Sequence, residues 1–390
     1  MVIKVNMKLK GLLTVLAAVI TMLVLGTIYA WSIYVPRLIM EHGYSTGQTQ
    51  LIFGVLIGIF TVAMVIARPL LGRWGPSKLA MAAAIIYGLG YVLAGIMGPG
   101  FGIMFIGLSL LAGVGTGVGY LISISIPVEW YPARKGLITG LVSAGFGGGA
   151  IIESLIVEGF LADGTALTRI FLVMGVIKGI LLLVASFFFR RPAARQTLSP
   201  LMPMKRLIKD VKFLRLFFGI FIGTFGGLLI IGNLKPIGGQ YPIDETILVL
   251  GITVFSLANF TGRLFWGWLN DLVSGKILMP LSLILTGVVT LMIGLFALDS
   301  VFYLAMAFGA GFSYGANFVI YAKETAQIYG LDNLGKIYPL VFLGYGISGI
   351  AGPYTGGWLH DIFGSYQPSM LVASALCVLA FVSMIRPVGR

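Results

Sequence analysis

Ser256-Leu257-Ala258-Asn259-Phe260-Thr261-Gly262-Arg263-Leu264-Phe265-Trp266-Gly267-Trp268-Leu269-Asn270-Asp271 places one arginine deep in an apolar run that ends in a polar turn. The run is long enough to cross a bilayer as a helix. A guanidinium keeps its charge at any depth, and placing one near mid-membrane costs at least about 2.5–3.5 kcal/mol. Something must offset that cost, and a bound anion is one candidate. Ser256, Asn259 and Arg263 stand at i, i+3 and i+7, on one face of a helix. That polar stripe should look into a protein interior rather than at lipid.

The rest of the chain is built from runs of the same kind. Of its 390 residues, 58% are apolar and 10% are charged, with a mean hydropathy of +1.01. Soluble domains carry about 25% charged residues. Twelve runs of span length follow one another, at 11–36, 49–68, 79–98, 101–127, 137–160, 169–189, 213–236, 246–266, 277–298, 301–321, 337–357 and 368–386. None alternates with period two as barrel strands do, so helices are left as the way to satisfy the backbone in lipid. The first run, Gly11 to Tyr34, is too long for the apolar part of a signal peptide and reads as a spanning helix.

The charges orient the chain. The net charge is +13. With the N-terminus inside, 21 of the 26 lysines and arginines fall on the inner side. Arg37, Arg169 and Lys235 fall outside, and Lys178 and Arg263 lie within spans. This bias predicts both termini in the cytoplasm and a multi-pass protein of the cytoplasmic membrane. Cations confined to loops between spans speak for headgroups, not nucleic acid. The segment 190–212 is a basic linker expected at anionic headgroups.

Several chemistries are disfavoured. Cys377 is the single cysteine, and His42 and His360 are the two histidines, both loop-located, so no disulfide framework or metal centre is expected. No Ser/His/Asp set or paired carboxylates suggest an enzyme, and no cofactor is expected. Gly113-Val-Gly115-Thr-Gly117-Val-Gly119 and Gly147-Gly148-Gly149 lie inside spans with no preceding strand, so they read as close helix contacts, not dinucleotide loops.

The two halves repeat at an offset of 199–200 residues. Pro36 matches Pro236, and Gly145-Phe146-Gly147 matches Gly344-Tyr345-Gly346. The predicted fold is therefore all-α integral membrane, with twelve transmembrane helices in two pseudo-symmetric six-helix bundles. The bundles are residues 1–189 and 213–390, joined by 190–212. Such a repeat is that of rocker-type transporters, with the substrate site expected at midplane between the halves.

Over its whole length the sequence resembles the major facilitator superfamily. The loop Gly267-Trp-Leu-Asn-Asp271-Leu-Val-Ser-Gly275-Lys276 is similar to that superfamily's signature between spans 8 and 9. The resemblance implies a cytoplasmic gating loop carried by Gly267, Asp271 and Gly275. In the first-half copy, Arg68 to Lys78, Gly72 stands where the aspartate belongs. A narrower resemblance is to the oxalate/formate antiporter family and related monocarboxylate transporters. It is carried by Gly26-Thr-Ile-Tyr29-Ala-Trp31-Ser32, Glu129-Trp130-Tyr131-Pro132-Ala-Arg134-Lys135-Gly136, Thr139-Gly-Leu-Val-Ser-Ala-Gly145-Phe-Gly147 and Asn333-Leu-Gly335-Lys336. It implies that Arg263 binds a substrate carboxylate. Two departures bear on substrate and coupling. Tyr345 stands where the oxalate exchanger has a second cation, and Asn259 stands where monocarboxylate transporters have an acid. The site reads as one for a single carboxylate.

Around Arg263, whose planar fork fits a carboxylate bidentately, Asn259 could donate to the same carboxylate or hold the guanidinium. Tyr29, Tyr120, Tyr314, Tyr321 and Tyr345 recur near mid-span, where each could line a cavity or simply pack. Asn317, one helical turn after Ser313, is open between substrate contact and an interhelical bond. Arg263 itself is also open to neutralisation by carbonyls or to snorkelling. Glu153 has two readings: an acid that carries a coupled proton, or an acid near the outer interface, neutral or paired with a cation such as Lys235. Lys178, mid-span, should be paired or deprotonated. These residues predict a transporter of a small organic anion, most simply a monocarboxylate, with protons as a candidate coupling ion, working as a monomer in the lipid bilayer. An oxalate/formate-like exchanger is the alternative in the same class, and a non-transporting sensor or receptor the alternative in another. An exporter of cationic drugs is disfavoured by the positive charge in span 8.

Overall fold

A computed structural model describes residues 2–98, 100–131, 135–192 and 204–385. Residues 193–203 of the basic linker, and Arg134, Arg386 and Arg390, lie outside the described residues. Every expected span is helical, and no strand occurs among the described residues. We number the long helices α1 Val2–Gly26, α2 Thr46–Trp74, α3 Pro76–Ile96, α4 Ala112–Trp130, α5 Lys135–Ala162, α6 Leu167–Ser186, α7 Val211–Gly238, α8 Glu245–Leu272, α9 Gly275–Leu295, α10 Ser300–Tyr329, α11 Leu331–Phe363 and α12 Gln367–Ile385. Eleven helical segments among the described residues are long and apolar enough to cross a membrane. The twelfth expected span, 337–357, lies inside α11, whose 33 residues reach about 50 Å.

Helix ends follow local chemistry. Asp210, Asp244, Ser274 and Asp299 cap α7, α8, α9 and α10, each accepting a backbone N–H of the first turn. Two stretches depart from α geometry. Thr27–Ile33 winds as a 3-10 helix after α1, and Phe105–Leu111 as a π-helix before α4. Such departures often mark functional positions.

The chain forms two compact units. One holds residues 1–30 and 55–197, the other residues 31–54 and 198–390. In the first unit α1 packs on α5 and α3 on α6; in the second α7 packs on α11 and α9 on α12. The same pairs recur six helices later, which is the internal repeat in three dimensions. Its sequence markers keep their roles. A Cβ on Gly145 of α5 would lie 3.1 Å from the Val19 carbonyl of α1, and one on Gly344 of α11 would lie 2.5 Å from the Phe217 carbonyl of α7.

Glycines make these contacts backbone-close, as expected for small residues between helices in lipid. A Cβ on Gly149 would sit 2.2 Å from the Leu23 carbonyl, and on Gly26 2.0 Å from the Phe146 carbonyl, so α1 and α5 touch through both. The run from Gly113 to Gly119 serves three neighbours. Gly115 faces Tyr87 of α3, Gly117 faces the Phe60 carbonyl of α2, and Gly119 faces Leu25 of α1.

In the second unit, the segment 31–54 is fixed by its own polar contacts. The Asp361 carboxylate accepts the N–H groups of Thr46 and Gly47 at 3.0 and 2.8 Å, holding the start of α2. The Gln50 amide donates to the Gly232 carbonyl of α7 at 2.8 Å. A Cβ on Gly54 would lie 2.6 Å from the Gly349 carbonyl of α11.

The α1–α5 contact is tested by paired substitutions. Gly149→Leu should destabilise by about 1–3 kcal/mol through overpacking, seen as a melting temperature several degrees lower in detergent. Gly148→Ala is the control: its nearest neighbour would be 3.7 Å away, and its melting temperature should not move.

Candidate functional site

Arg263 lies in the second unit and is 5% exposed. It sits on α8 where α10 comes closest. Gly262, Gly311 and Gly315 form that seam. A Cβ on Gly315 would lie 2.7 Å from the Asn259 carbonyl, and one on Gly311 2.2 Å from the Phe255 carbonyl. This close approach puts Phe318 of α10 under the guanidinium, with Cζ 4.2 Å from the ring centroid. A cation over an aromatic face is attracted by the ring quadrupole, more strongly when desolvated.

Asn259, one turn earlier, accepts from Arg263 Nε at 3.0 Å. It fixes the fork without cancelling its charge, because an amide is neutral. Ser256 and Asn259 are fully buried. Asn259 Nδ2 and Ser256 Oγ have no hydrogen-bond partner among the described residues. Buried donors left in this state are costly. Here they lie on the same helical face as Arg263.

An aromatic wall continues from Phe318. Its ring meets Tyr314 edge-on at 5.0 Å and Tyr345 at 5.4 Å. Phe342 packs on Tyr345 at 4.8 Å, and the Tyr314 hydroxyl donates to that of Tyr345 at 3.4 Å. Tyr314, Tyr345, Asn259 and Arg263 are thus brought together around one ring that sequence reasoning did not single out. Phe318 stands one residue after Asn317 in an apolar helix, and nothing in its spacing distinguishes it.

Asn317 turns the other way. Its Nδ2 donates to the carbonyls of Gly223, Tyr314 and Ser313 at 3.1, 3.2 and 3.3 Å. The amide ties α10 to α7, through the gap that Gly223 leaves. Tyr321 is fully buried beside Gly219 of α7.

Tyr29 and Tyr120 lie in the first unit, in a separate aromatic group. Both meet Phe146 edge-on, at 5.3 and 5.4 Å, and Tyr120 also packs on Phe60 at 5.0 Å. Phe146 and Tyr345 are repeat-related positions. Each unit therefore carries an aromatic cluster at the same place in its six-helix bundle.

Glu153 is 1% exposed and bonds Lys178 of α6 at 2.6 Å. The Lys178 ammonium also lies 4.5 Å from the centre of the Tyr91 ring of α3. Lys235, the cation suggested by sequence as a partner for Glu153, instead pairs with Glu245 at 2.6 Å. The error has a simple cause: which of several lone charges meet depends on helix rotation, which hydropathy does not encode. The signal available was that Glu153 and Lys178 are opposite charges in consecutive apolar spans.

At the other end of α8, Asp271 pairs with Lys323 of α10 at 2.8 Å, and Lys323 also bonds the Asn270 carbonyl. Gly267 packs against Val319 of α10, and Gly275 lies against the Glu324 carboxylate. The stretch expected as a loop, Gly267 to Gly275, is helical in α8 up to Leu272 and is held on α10. No cluster of metal-ligating residues occurs among the described residues.

Comparison with known proteins places this geometry in context. The family model of the Major Facilitator Superfamily matches residues 13–236 and 216–389. The chain is 26% identical to the uncharacterised MFS-type transporter YhjX of Escherichia coli (strain K12), over 87% of this chain and 85% of that one. It is 25% identical to the oxalate:formate antiporter of Oxalobacter formigenes, over 94% and 88% of the two chains. It is 23% identical to monocarboxylate transporter 13 of Bos taurus, over 90% and 83%. Among solved structures, a bacterial homologue of the human lysosomal transporter Spinster superposes with a TM-score of 0.73 at 14% identity, covering 96% of this chain and 97% of that one.

The buried pair makes a stability prediction. Lys178→Met alone should destabilise by about 3 kcal/mol or more, because it leaves a buried carboxylate without its cation. The double variant Glu153→Met with Lys178→Met should recover most of that loss in thermal melts.

Proposed function

The chain belongs to the Major Facilitator Superfamily, and we propose that this transporter carries a small organic anion, a monocarboxylate, across the cytoplasmic membrane by alternating access. Membership makes it a membrane transporter, not an enzyme. The observation that carries the substrate class is Arg263: a buried cation, held by a neutral amide, beside the buried donors Ser256 Oγ and Asn259 Nδ2, which have no partner among the described residues. A carboxylate would take two guanidinium N–H groups in parallel. Asn259 Nδ2 and Ser256 Oγ would serve a second oxygen or a substituent, and Tyr314 and Tyr345 would pack the substrate's short apolar part. Asn317 keeps α7 and α10 in register behind them. Tyr29 and Tyr120 are the corresponding groups of the first six-helix half. Relatives named for oxalate, formate and monocarboxylates support the same class.

The halves that rock are residues 1–189 and 213–390, joined by the basic linker 190–212. Both termini are cytoplasmic, on the balance of 21 inner cations to three outer ones. Gly267, Asp271 and Gly275 form the cytoplasmic gating loop, with Lys323 as partner of Asp271. The protein works as a monomer. A proton accompanies the anion, and Glu153 carries it. Exchange of the oxalate/formate kind is the second reading, favoured by the 25% identity to that antiporter and opposed by Tyr345 in place of a second cation.

A thermal-shift panel of formate, acetate, lactate, pyruvate and oxalate tests the site. At least one monocarboxylate should stabilise the wild type, Arg263→Ala should abolish the shift, and Arg263→Lys should weaken binding about tenfold or more through loss of the bidentate fork. Equal stabilisation of Arg263→Ala by every anion would sink the assignment. In proteoliposomes, an inward proton gradient should drive accumulation of that anion without any anion inside. Uptake that demands internal anion and ignores the gradient would establish exchange instead.

A further inference from the structure

Helices α7, α8, α9 and α10 are each capped by the residue directly before them. The start of α2 is different. Ser45 and Gln48 close on each other there: the Gln48 N–H donates to Ser45 Oγ at 3.1 Å and the Ser45 N–H to Gln48 Oε1 at 2.9 Å. The N–H groups of Thr46 and Gly47 point along the axis and need acceptors from elsewhere. Asp361, at the far end of α11, takes both, one on each carboxylate oxygen. A carboxylate in this place meets the positive end of the helix dipole as well as two donors.

The contact continues along the same two helices. Thr46 Oγ1 lies 3.3 Å from His360 Nδ1, and the His360 ring stacks on Tyr366 at 4.5 Å. A Cβ on Gly357 would lie 2.7 Å from the Thr46 carbonyl, and one on Gly54 2.6 Å from the Gly349 carbonyl. The step from Thr46 to Gly54 on α2 thus answers the step from Gly357 to Gly349 on α11, in antiparallel contact over about 12 Å. Between the two glycine contacts, the Gln50 amide reaches α7. At Gly54 this packing ends, and Val55 onward belongs to the other compact unit. The docked stretch therefore has a defined length, small residues at its contacts and one charge-assisted clasp at its tip.

We propose that Asp361 is the outer latch of this transporter. It holds the tip of α2 on α11 while the outer side is shut, and lets go when residues 1–189 turn against 213–390. The proposal rests on the alternating-access reading and on the orientation that puts the tip of α2 outside. By chain order the segment 31–54 moves with the first six helices, yet in this state it packs with residues 198–390. Opening the outer side by that turn has to break the Asp361 contact. The chemistry suits a contact made and broken in each cycle. Asp361 is exposed, so water replaces its two donors on release, while the Ser45–Gln48 box keeps the start of α2 helical. A buried ion pair here would resist release; an exposed carboxylate on a helix end shifts the balance only a few-fold.

Spin labels at Met40→Cys and Val301→Cys, both exposed positions, read the distance between the segment 31–54 and the start of α10 by pulsed electron resonance in nanodiscs. Cys377 is buried and stays in place. The distances should fall into a shorter and a longer component, and Asp361→Ala should raise the ratio of longer to shorter about two- to fivefold. Asp361→Glu keeps the carboxylate and should stay close to wild type. Gly357→Ala changes no charge, but its methyl would press on the Thr46 carbonyl, so it should raise the ratio as well. Size-exclusion elution checks folding, and Asp361→Asn, which keeps the shape and loses the charge, carries the test if the alanine variant aggregates. A ratio that ignores Asp361, or a single component in every variant, would overturn the latch. Two components that ignore Asp361 would leave alternating access standing without it. A ratio that answers to Asp361 while no anion accumulates in proteoliposomes would leave the latch standing and remove the substrate reading.

Discussion

Lipid offers neither hydrogen bonds nor counter-charges, and the whole structure is an answer to that fact. The backbone satisfies itself in helices. The buried charges must be satisfied by other parts of the chain, and each unit solves this in a related way. In the first, Lys178 lies against one carboxylate and over Tyr91. In the second, Arg263 lies against one amide and over Phe318. The difference between an amide and a carboxylate decides what each cation can do. Glu153 cancels the charge of Lys178. Asn259 orients Arg263 through Nε and, being a neutral amide, does not itself cancel its charge.

The same contrast bears on why an asparagine, rather than an acid, precedes the arginine by one turn. An aspartate at 259 would make a tight ion pair and compete with any arriving carboxylate. An asparagine holds the fork and adds a donor, Nδ2, that has no partner among the described residues. The deeply buried pair of opposite charges among the described residues is instead Glu153 with Lys178.

Much of this was legible in the sequence. Hydropathy located all twelve helices, because a bilayer fixes their length and forbids alternatives. The glycine runs marked where helices approach closely, since only small residues allow such approach, but not which helices meet. The helical face of Ser256, Asn259 and Arg263 followed from periodicity alone. Pairings across helices did not. Phe318 under Arg263, Lys178 beside Glu153, Lys235 beside Glu245 and Asp361 at the start of α2 all depend on how helices rotate and lean. A single chain of apolar runs leaves that rotation open, because any face of such a helix can be apolar.

The segment 31–54 was the least legible part, and it shows where the chain must bend. By chain order it belongs to the first six helices; by packing it belongs with residues 198–390. The change of allegiance happens inside helical stretches rather than in loops. Within the 3-10 turn Thr27–Ile33, Tyr29 packs on Phe146 of the first unit, and two residues later Trp31 stacks on Phe53 of the second. The return lies at Gly54 and Val55, within the continuous helix α2. A 3-10 turn has poorer hydrogen-bond geometry than an α-helix and holds only in short pieces, so it is the softer of these two helical crossings. The chain passes between the units at these two places and a third time at 197–198, in a stretch outside the described residues. The first of these stretches carries Tyr29 and Trp31, so bending there would redirect aromatic side chains as it moved the backbone.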